Sequence, residues 1–272
     1  MKIGVIIQLD DDRIDEKIEQ AHELGFRVFQ LCGWNHDFFT DETAEKVLTA
    51  CRDRHMEIST FWCGWSGEAA WNFYEGQTTL GIVPLAYRAR RVEELKHGSD
   101  FAKKLGVSQM ATHMGYMPEN PLGEDYLPLI AAIREVAEHC RTNGQKLLFE
   151  TGQETPVTLR RVIEDVDTGN LGINLDPANL ILYGKANPID ALDVFGEFVC
   201  DVHAKDGRYP TNGRYLGQET VVGEGKVNFP AFVKRLREVG YDGSLIIERE
   251  ISGEQQIKDI QATKIYLEGL IS

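Results

Sequence analysis

The chain has 272 residues, of which 42% are hydrophobic, and it carries a formal net charge of −14. This length is usual for one domain, and the apolar fraction allows a sizeable buried core, which excludes an intrinsically disordered chain. The excess of 43 acidic over 29 basic side chains argues against a nucleic-acid partner. A small anionic ligand stays open, because a local pocket can differ in sign from the whole chain. No apolar run reaches the roughly 18 residues of a membrane span, so no membrane partner is expected.

Cysteine usage and the first residues of the chain indicate a cytoplasmic protein. The five cysteines are odd in number and lack paired C-x-x-C spacing. They are interpreted as reduced thiols that mostly fill space in the core. The run from Met1 to Ile7 is typical of a strand, and it is too short and lacks the cleavage site of a signal peptide.

In chain order, short apolar runs alternate with stretches of helical spacing. In the first such stretch Ile14, Ile18, Ala21 and Leu24 recur every three or four residues, and Gly25 ends the helix. The predicted strands cover residues 2–7, 27–31, 57–62, 107–112, 147–149, 171–175, 198–202 and 244–247. The predicted helices cover residues 12–24, 41–55, 84–105, 125–141, 155–166, 188–195, 229–239 and 254–271.

Eight strand–helix units in a row predict parallel strands, and this number favours a closed (β/α)₈ barrel over an open doubly wound sheet. No composition break or linker divides residues 1–272, so a single domain is expected. The absence of G-x-G-x-x-G and G-x-x-x-x-G-K-[ST] motifs argues against a nucleotide-binding sheet. The fold class is therefore α/β, a single TIM barrel.

Two long loops are expected, at about residues 62–82 and about residues 204–227. The first concentrates aromatic side chains, namely Trp62, Trp65, Trp71, Phe73 and Tyr74. One interpretation is a packed surface loop or a contact between the subunits of a dimer or tetramer. The other is a lid whose rings stack on a sugar face and exclude water.

Potential metal ligands follow the last four strands: Glu150, Asp176, His203 and Glu248. The carboxyl ends of barrel strands meet at one mouth, so we expect these side chains to converge. Three carboxylates so close together would repel one another unless a cation neutralised them. Each acid alone could instead cap a helix, but four ligands in register favour one divalent ion. Three carboxylates and an imidazole suit Mn²⁺, with Mg²⁺, Co²⁺ and Zn²⁺ as alternatives.

Together with His113-Met114-Gly115 upstream and Gly223-Glu224-Gly225 downstream, these four residues make the chain resemble the xylose-isomerase-like sugar isomerase/epimerase superfamily. The resemblance extends over essentially the whole chain. In the ketose 3-epimerase branch of that superfamily, the four corresponding residues bind one divalent metal ion. The two glutamates also serve there as acid and base, so the resemblance implies these roles for Glu150 and Glu248.

Such a site can remove a proton from a carbon beside a carbonyl, because the metal stabilises the enediolate that forms. Two carboxylates on opposite faces of that carbon can then invert its configuration. We therefore predict a metal-dependent isomerase or epimerase acting on a small carbohydrate, namely a sugar, sugar phosphate or related polyhydroxy-carbonyl compound.

The main alternative is a lyase or dehydratase that uses the same metal site on a keto-sugar, keto-glycoside or keto-cyclitol. Abasic-site endonucleases share the fold, but they gather many histidines around three zinc ions and need a basic groove. Here only His113 and His203 follow strands, and the chain is acidic. A metal-free binding protein is disfavoured by the full set of ligands.

Seven further residues are candidates for binding substrate: His113, Asn179, Lys205, Arg208, Trp65, Gln153 and Glu250. Structural explanations compete for several of them. His113 could be held by its own loop, and Lys205 and Arg208 could form salt bridges in the loop after the seventh strand. Asn179 stands where ketose 3-epimerases carry a substrate-binding histidine, and an amide can hydrogen-bond a hydroxyl but cannot become a cation. This departure argues against assuming a ketohexose as substrate.

Overall fold

Eight parallel strands close into a barrel in the computed structural model, which describes residues 1–272. The strands are β1 Lys2–Leu9, β2 Val28–Gly33, β3 Glu57–Cys63, β4 Gln109–Thr112, β5 Lys146–Glu150, β6 Leu171–Leu175, β7 Val199–Ala204, β8 Asp206–Arg208, β9 Gln218–Thr220 and β10 Ser244–Ile247. Around the barrel the order is β1-β10-β7-β6-β5-β4-β3-β2, while β8 and β9 form a separate antiparallel hairpin. The predicted TIM barrel is confirmed.

Helices alternate with the strands along the chain. They are α1 Ile14–Glu23, α2 Asp41–Arg54, α3 Gly76–Thr79, α4 Leu85–Lys104, α5 Tyr126–Thr142, α6 Pro156–Val166, α7 Pro177–Leu182, α8 Pro188–Phe195, α9 Phe229–Glu238 and α10 Glu254–Ile271. Every predicted strand and helix occurs, with each end within two residues of the predicted one. The agreement follows from residues that clearly mark where elements begin and end, such as the N-cap Thr155 followed by Pro156 at the start of α6.

Three short elements lie outside the sequence prediction: α3, α7 and the β8–β9 hairpin. All residues of α7 are buried, so its sequence has no polar face to reveal a helical period. The hairpin lies within the long loop expected at about residues 204–227, and Arg208 belongs to its first strand, β8. Each hairpin strand has only three residues, which is too few for an alternating pattern.

Apolar side chains between strands and helices form one continuous core, which includes the stacked rings of Phe39 and Phe101, 4.9 Å between centroids. The barrel interior instead contains a polar group of side chains centred on the buried carboxylate of Asp201. This carboxylate accepts hydrogen bonds from Ser59 at 2.8 Å, Thr60 at 2.7 Å and Gln30 Nε2 at 3.2 Å. Such groups are tolerated in a core because each finds a partner.

The aromatic loop after β3 is tied to α4 by Arg91, whose side chain is fully buried. Its guanidinium donates to the carbonyl oxygens of Gly81 at 2.7 Å and Glu68 at 2.8 Å. It also lies 5.2 Å from the ring centroid of Trp65. Burial lowers the pKa of Arg91 to about 10, so the group stays charged at neutral pH. These contacts fix the loop against the outer helix.

None of the helices is both long enough and apolar enough to cross a lipid bilayer. All five cysteines are free thiols, four of them buried and Cys200 half-buried.

Candidate metal centre

Four side chains with metal-ligating atoms meet at the carboxyl end of the barrel. Glu150 ends β5, Asp176 caps α7 directly after β6, His203 lies in β7, and Glu248 follows β10. One ligand atom from each lies within 4.8 Å of the others. The first three residues are buried and Glu248 is half-buried. The strand register thus brings together the four residues expected from the sequence.

The unpaired atoms of this cluster fit a divalent cation. Asp176 Oδ2, His203 Nδ1 and Glu248 Oε2 are buried without a hydrogen-bond partner, which is costly for polar atoms. Coordination of one ion would satisfy all three, and three oxygens with one nitrogen suit an ion of intermediate hardness. The charges also agree, since three carboxylates balance a divalent ion together with the ammonium of Lys205, 3.4 Å from Asp176.

The interior polar group orients His203 for this role. Gln30 Nε2 donates to the carboxylate of Asp201, so its Oε1 faces His203 Nε2 at 2.8 Å. Asn174 Nδ2 approaches the same ring nitrogen at 3.0 Å, so both contacts of Nε2 are with amide groups of the interior polar group. The Nδ1 atom, 3.1 Å from Glu248, is then free to ligate a metal.

In the metal-free chain, protons and an ammonium group compensate the carboxylates. Burial alone would lower the pKa of His203, but Glu248 and Glu150 outweigh it and hold that pKa well above the usual range. A ligating imidazole must lose this proton, so metal affinity is expected to rise with pH. Lys205 is also fully buried, and Glu248 and Glu250 raise its pKa despite the cost of burial.

Glu150 is the more enclosed of the two glutamates. Its Oε2 accepts a hydrogen bond from the indole nitrogen of Trp62, and its Oε1 lies 3.4 Å from Asn179 Nδ2. Burial opposes ionisation, but His113 and His203 outweigh it and hold the pKa of Glu150 well below its usual range. Glu150 is therefore an ionised carboxylate in a water-poor site, which is the form that a metal ligand or a base requires.

A cavity of about 440 Å³ opens beside the cluster, a volume within the range of small-molecule sites. Its lining comprises Ile6, Gln8, Cys32, Trp34, Trp62, Trp71, His113, Glu150, Asn179, Leu182, Tyr183, His203, Leu216, Glu248 and Glu250. Trp34, Trp62 and Trp71, here called the tryptophan wall, have ring centroids 4.9 Å (Trp34 to Trp62) and 6.3 Å (Trp34 to Trp71) apart. Apolar rings and carboxylates thus face the same space.

Four of the seven predicted substrate-binding residues lie at the site. His113, Asn179 and Glu250 line the cavity, with His113 Nε2 at 3.4 Å from Glu150. Lys205 is adjacent to the cluster, with its Nζ 3.3 Å from Glu248 and 2.8 Å from Glu250. Contact of these residues with a substrate stays a prediction.

The other three lie outside the cavity lining. Trp65 is buried against the tryptophan wall, with its ring 5.3 Å from that of Trp34. Gln153 is buried beyond the lining, and Arg208 is exposed on β8. Within the aromatic loop it is Trp71, rather than Trp65, that faces the cavity, because Arg91 holds Trp65 from the outer side.

Several site residues escaped the sequence reasoning. Trp34 follows β2 just as the metal ligands follow later strands, so the same strand-end argument would have found it. Asn174 lies two residues before Asp176 on β6, and this spacing of two places both side chains on one face of the strand. Tyr183 and Leu216 had no sequence signal, since α7 and the hairpin bring them to the cavity.

A model of the family described as "Xylose isomerase-like TIM barrel" matches residues 18–269. The chain belongs to this family. Among solved structures, the xylose isomerase domain protein from Planctomyces limnophilus is 36% identical, with a TM-score of 0.93. That alignment covers 99% of this chain and 96% of the other. L-ribulose 3-epimerase shares the family's barrel at 18% identity, with a TM-score of 0.74 over 99% of this chain and 94% of that one.

Two curated relatives align over part of their length. An uncharacterised protein of Methanocaldococcus jannaschii is 29% identical over 66% of this chain and 64% of its own length. An inosose dehydratase of Geobacillus kaustophilus is 25% identical over 63% of this chain and 66% of its own length. The chain thus spans slightly less than two thirds of either relative. Sugar epimerases and a cyclitol dehydratase are therefore both among the proteins that this family member resembles.

Proposed function

We propose that the protein is a divalent-metal-dependent isomerase or epimerase that acts on a carbohydrate or related polyhydroxy-carbonyl compound through an enediolate. The observation that carries this proposal is that both glutamates of the metal cluster, Glu150 and Glu248, line one cavity. Two carboxylates beside the same substrate can remove a proton from a carbon and return one to it. Mn²⁺ is the ion we assign, in a cytoplasmic protein with reduced thiols.

In the proposed reaction, the ionised Glu150 takes a proton from the carbon beside the carbonyl, and Glu248, after taking up a proton from solvent, delivers it to the other face of that carbon. Glu150 then releases its proton to solvent, so both glutamates return to their starting states. His113 and Asn179 orient the substrate, because both line the cavity within reach of Glu150. The tryptophan wall excludes water from the reacting carbon. A divalent ion held by the cluster would supply the charge stabilisation that the enediolate needs.

A dehydratase is the second candidate, and the similarity to inosose dehydratases favours it. Dehydration starts with the same proton removal beside a carbonyl. It then expels a hydroxyl group from the next carbon as water, so a proton must reach that oxygen. One carboxylate would act as base and the other group would assist departure, which makes the two glutamates unequal.

Deuterium uptake from heavy water tests both candidates, because exchange reports proton removal whatever the final product. The metal-loaded protein is incubated with keto-sugars and keto-cyclitols, and label at carbon is followed by mass spectrometry. For an epimerase, Glu150→Gln and Glu248→Gln should each lose turnover by about 10²-fold or more. For a one-base isomerase or a dehydratase, one variant should abolish exchange while the other mainly weakens metal or substrate binding, and analysis of the product distinguishes these two.

Glu254→Gln provides a matched control, since Glu254 is an exposed acid at the start of α10. Its exchange rate should equal that of the wild type. Metal content is measured for every variant, so that loss of the ion is separated from loss of a base. Wild-type exchange rates in both Glu150→Gln and Glu248→Gln, with metal bound, would show that neither glutamate is the base.

A further inference from the structure

No lysine or arginine lines the cavity, whereas three carboxylates do: Glu150, Glu248 and Glu250. The nearest lysine, Lys205, is outnumbered by its acidic neighbours, with Glu250 at 2.8 Å and Glu248 at 3.3 Å. A divalent ion and Lys205 together would balance the three carboxylates of the metal cluster, so the negative charge of Glu250 at the cavity would be left over. A negatively charged substrate group would therefore meet the like charge of Glu250, and no lysine or arginine lines the cavity to pair with it.

The loop after β7 is one place where barrel enzymes bind phosphate, through backbone N–H groups. Here those donors are already used by a carboxylate of the chain itself. Asp206 Oδ1 accepts from Gly207 at 2.8 Å and Val227 at 3.0 Å, and Oδ2 accepts from Gly223 and Gly225, each at 3.0 Å. A Cβ at Gly225 would collide with Asp206, and Gly223 has a φ of +95°. The glycine-rich loop is therefore shaped around an internal anion.

The loop after the last barrel strand, β10, is filled in the same way. The backbone N–H of Glu250 donates to both carboxylate oxygens of Glu219, each at 3.2 Å. The guanidinium of Arg249 is shared between Glu219 at 2.7 Å and Asp259 at 2.8 Å. Neither the backbone donor nor the cation of this loop is free for a substrate phosphate. Both loops that usually hold phosphate in this fold are thus occupied by carboxylates of the protein.

The remaining lining suits an uncharged polyhydroxy compound. The tryptophan wall and Tyr183 present aromatic faces, which pack against the C–H face of a sugar or cyclitol ring. Gln8, Asn179 and Glu250 offer polar atoms that can bond hydroxyl groups. Apolar Leu182 and Leu216 complete the lining.

We propose that the substrate is an uncharged polyhydroxy ketone that carries neither a phosphate nor a carboxylate group. This inference rests on the proposed function and narrows its substrate class. The metal cluster handles the reacting carbonyl end, while the acidic and aromatic remainder of the cavity rejects an anionic tail.

The test compares neutral compounds with their phosphate esters on the same metal-loaded protein. Fructose and tagatose are each paired with their phosphate monoester, inosose is added as a neutral cyclitol ketone, and deuterium uptake is measured for all. The rate of deuterium exchange, divided by the enzyme and substrate concentrations, should be at least about 100-fold higher for a neutral compound that reacts than for its phosphate ester. Inorganic phosphate at millimolar concentration should not inhibit that exchange.

Charge variants give a second readout. Glu250→Gln should raise the rate for phosphate esters relative to neutral compounds by roughly tenfold, because it removes the unneutralised charge. Glu254→Gln, which changes an exposed acid outside the cavity, should leave this ratio unchanged. Phosphate esters that exchange as fast as neutral ketones, or faster, would overturn the substrate inference and leave the proposed function standing. Failure of every compound to exchange, with metal shown to be bound, would overturn both.

Discussion

Replacing Asp206 by Asn should destabilise the loop after β7 in a way that can be calculated from its contacts. The two carboxylate oxygens accept four backbone N–H groups, two on each oxygen. In Asp206→Asn one oxygen becomes an NH₂ group, which donates and cannot accept. Two of the four hydrogen bonds are then lost, whichever way the amide is turned.

A hydrogen bond to a charged group contributes about 1.5–3 kcal/mol. The lower value applies here, because the N–H groups of Gly223 and Gly225 are only partly buried and water can replace part of the loss. Two bonds at about 1.5 kcal/mol each give a loss of about 3 kcal/mol in the free energy of unfolding. On the scale of roughly 2 °C per kcal/mol for a chain of this size, the Tm should fall by about 6 °C.

Urea unfolding and thermal unfolding measure this loss, and hydrogen exchange of the amides in 221–227 locates it. Glu224→Gln makes the same acid-to-amide change on the same loop, at an exposed side chain without a hydrogen-bond partner in the structure. This control should unfold within about 0.5 kcal/mol of the wild type. If Asp206→Asn also stays within that margin, the carboxylate does not organise the loop, and the argument from its four bonds is refuted.

Two further predictions concern the cavity. Trp71→Ala should raise KM about tenfold with little effect on Tm, because Trp71 is 40% exposed and faces the cavity. Trp65→Ala should instead lower the free energy of unfolding by about 3–5 kcal/mol, because Trp65 is buried. Steady-state kinetics and thermal unfolding distinguish the two effects. Burial raises the pKa of Glu154 from 4.5 to about 7, so the folded chain binds an extra proton between these pH values and loses stability as the pH rises through them. The free energy of unfolding of Glu154→Gln relative to the wild type should therefore rise by about 2–3 kcal/mol from pH 4 to pH 8, measured by urea unfolding at fixed metal concentration. A relative stability that does not change with pH would contradict the raised pKa of Glu154.

The metal cluster could be predicted from the sequence because the barrel topology alone brings its residues together, without knowledge of individual side-chain contacts. Once eight strand–helix units imply a closed barrel, every strand end must face one mouth, and Glu150, Asp176, His203 and Glu248 are all strand-end residues. Residues that begin or end helices were equally informative about element boundaries, as Thr155 is at the start of α6. In these places local pattern and global fold require the same arrangement.

The cavity walls could not be predicted, because long-range packing decides which side chain of a loop faces inward. Trp65 and Trp71 look equivalent in sequence, but the ring of Trp65 packs against Arg91 on α4, whereas Trp71 lines the cavity. Tyr183 and Leu216 reach the site only because a fully buried helix and a hairpin of three-residue strands form. Elements this short are stabilised by their tertiary contacts, so their own sequences carry little periodic signal.

The two glutamates of the cluster differ in their access to water, since the Glu150 side chain is 4% exposed and that of Glu248 is 18% exposed. Under the proposed roles, a proton taken up by Glu248 can equilibrate with solvent before it is used again. A proton taken up by Glu150, beneath the indole of Trp62, is held long enough to return to the carbon it left. The two epimers would therefore exchange hydrogen with water at different rates. The epimer deprotonated by Glu248 would lose its label to water readily, while the epimer deprotonated by Glu150 would recapture its own hydrogen over several cycles.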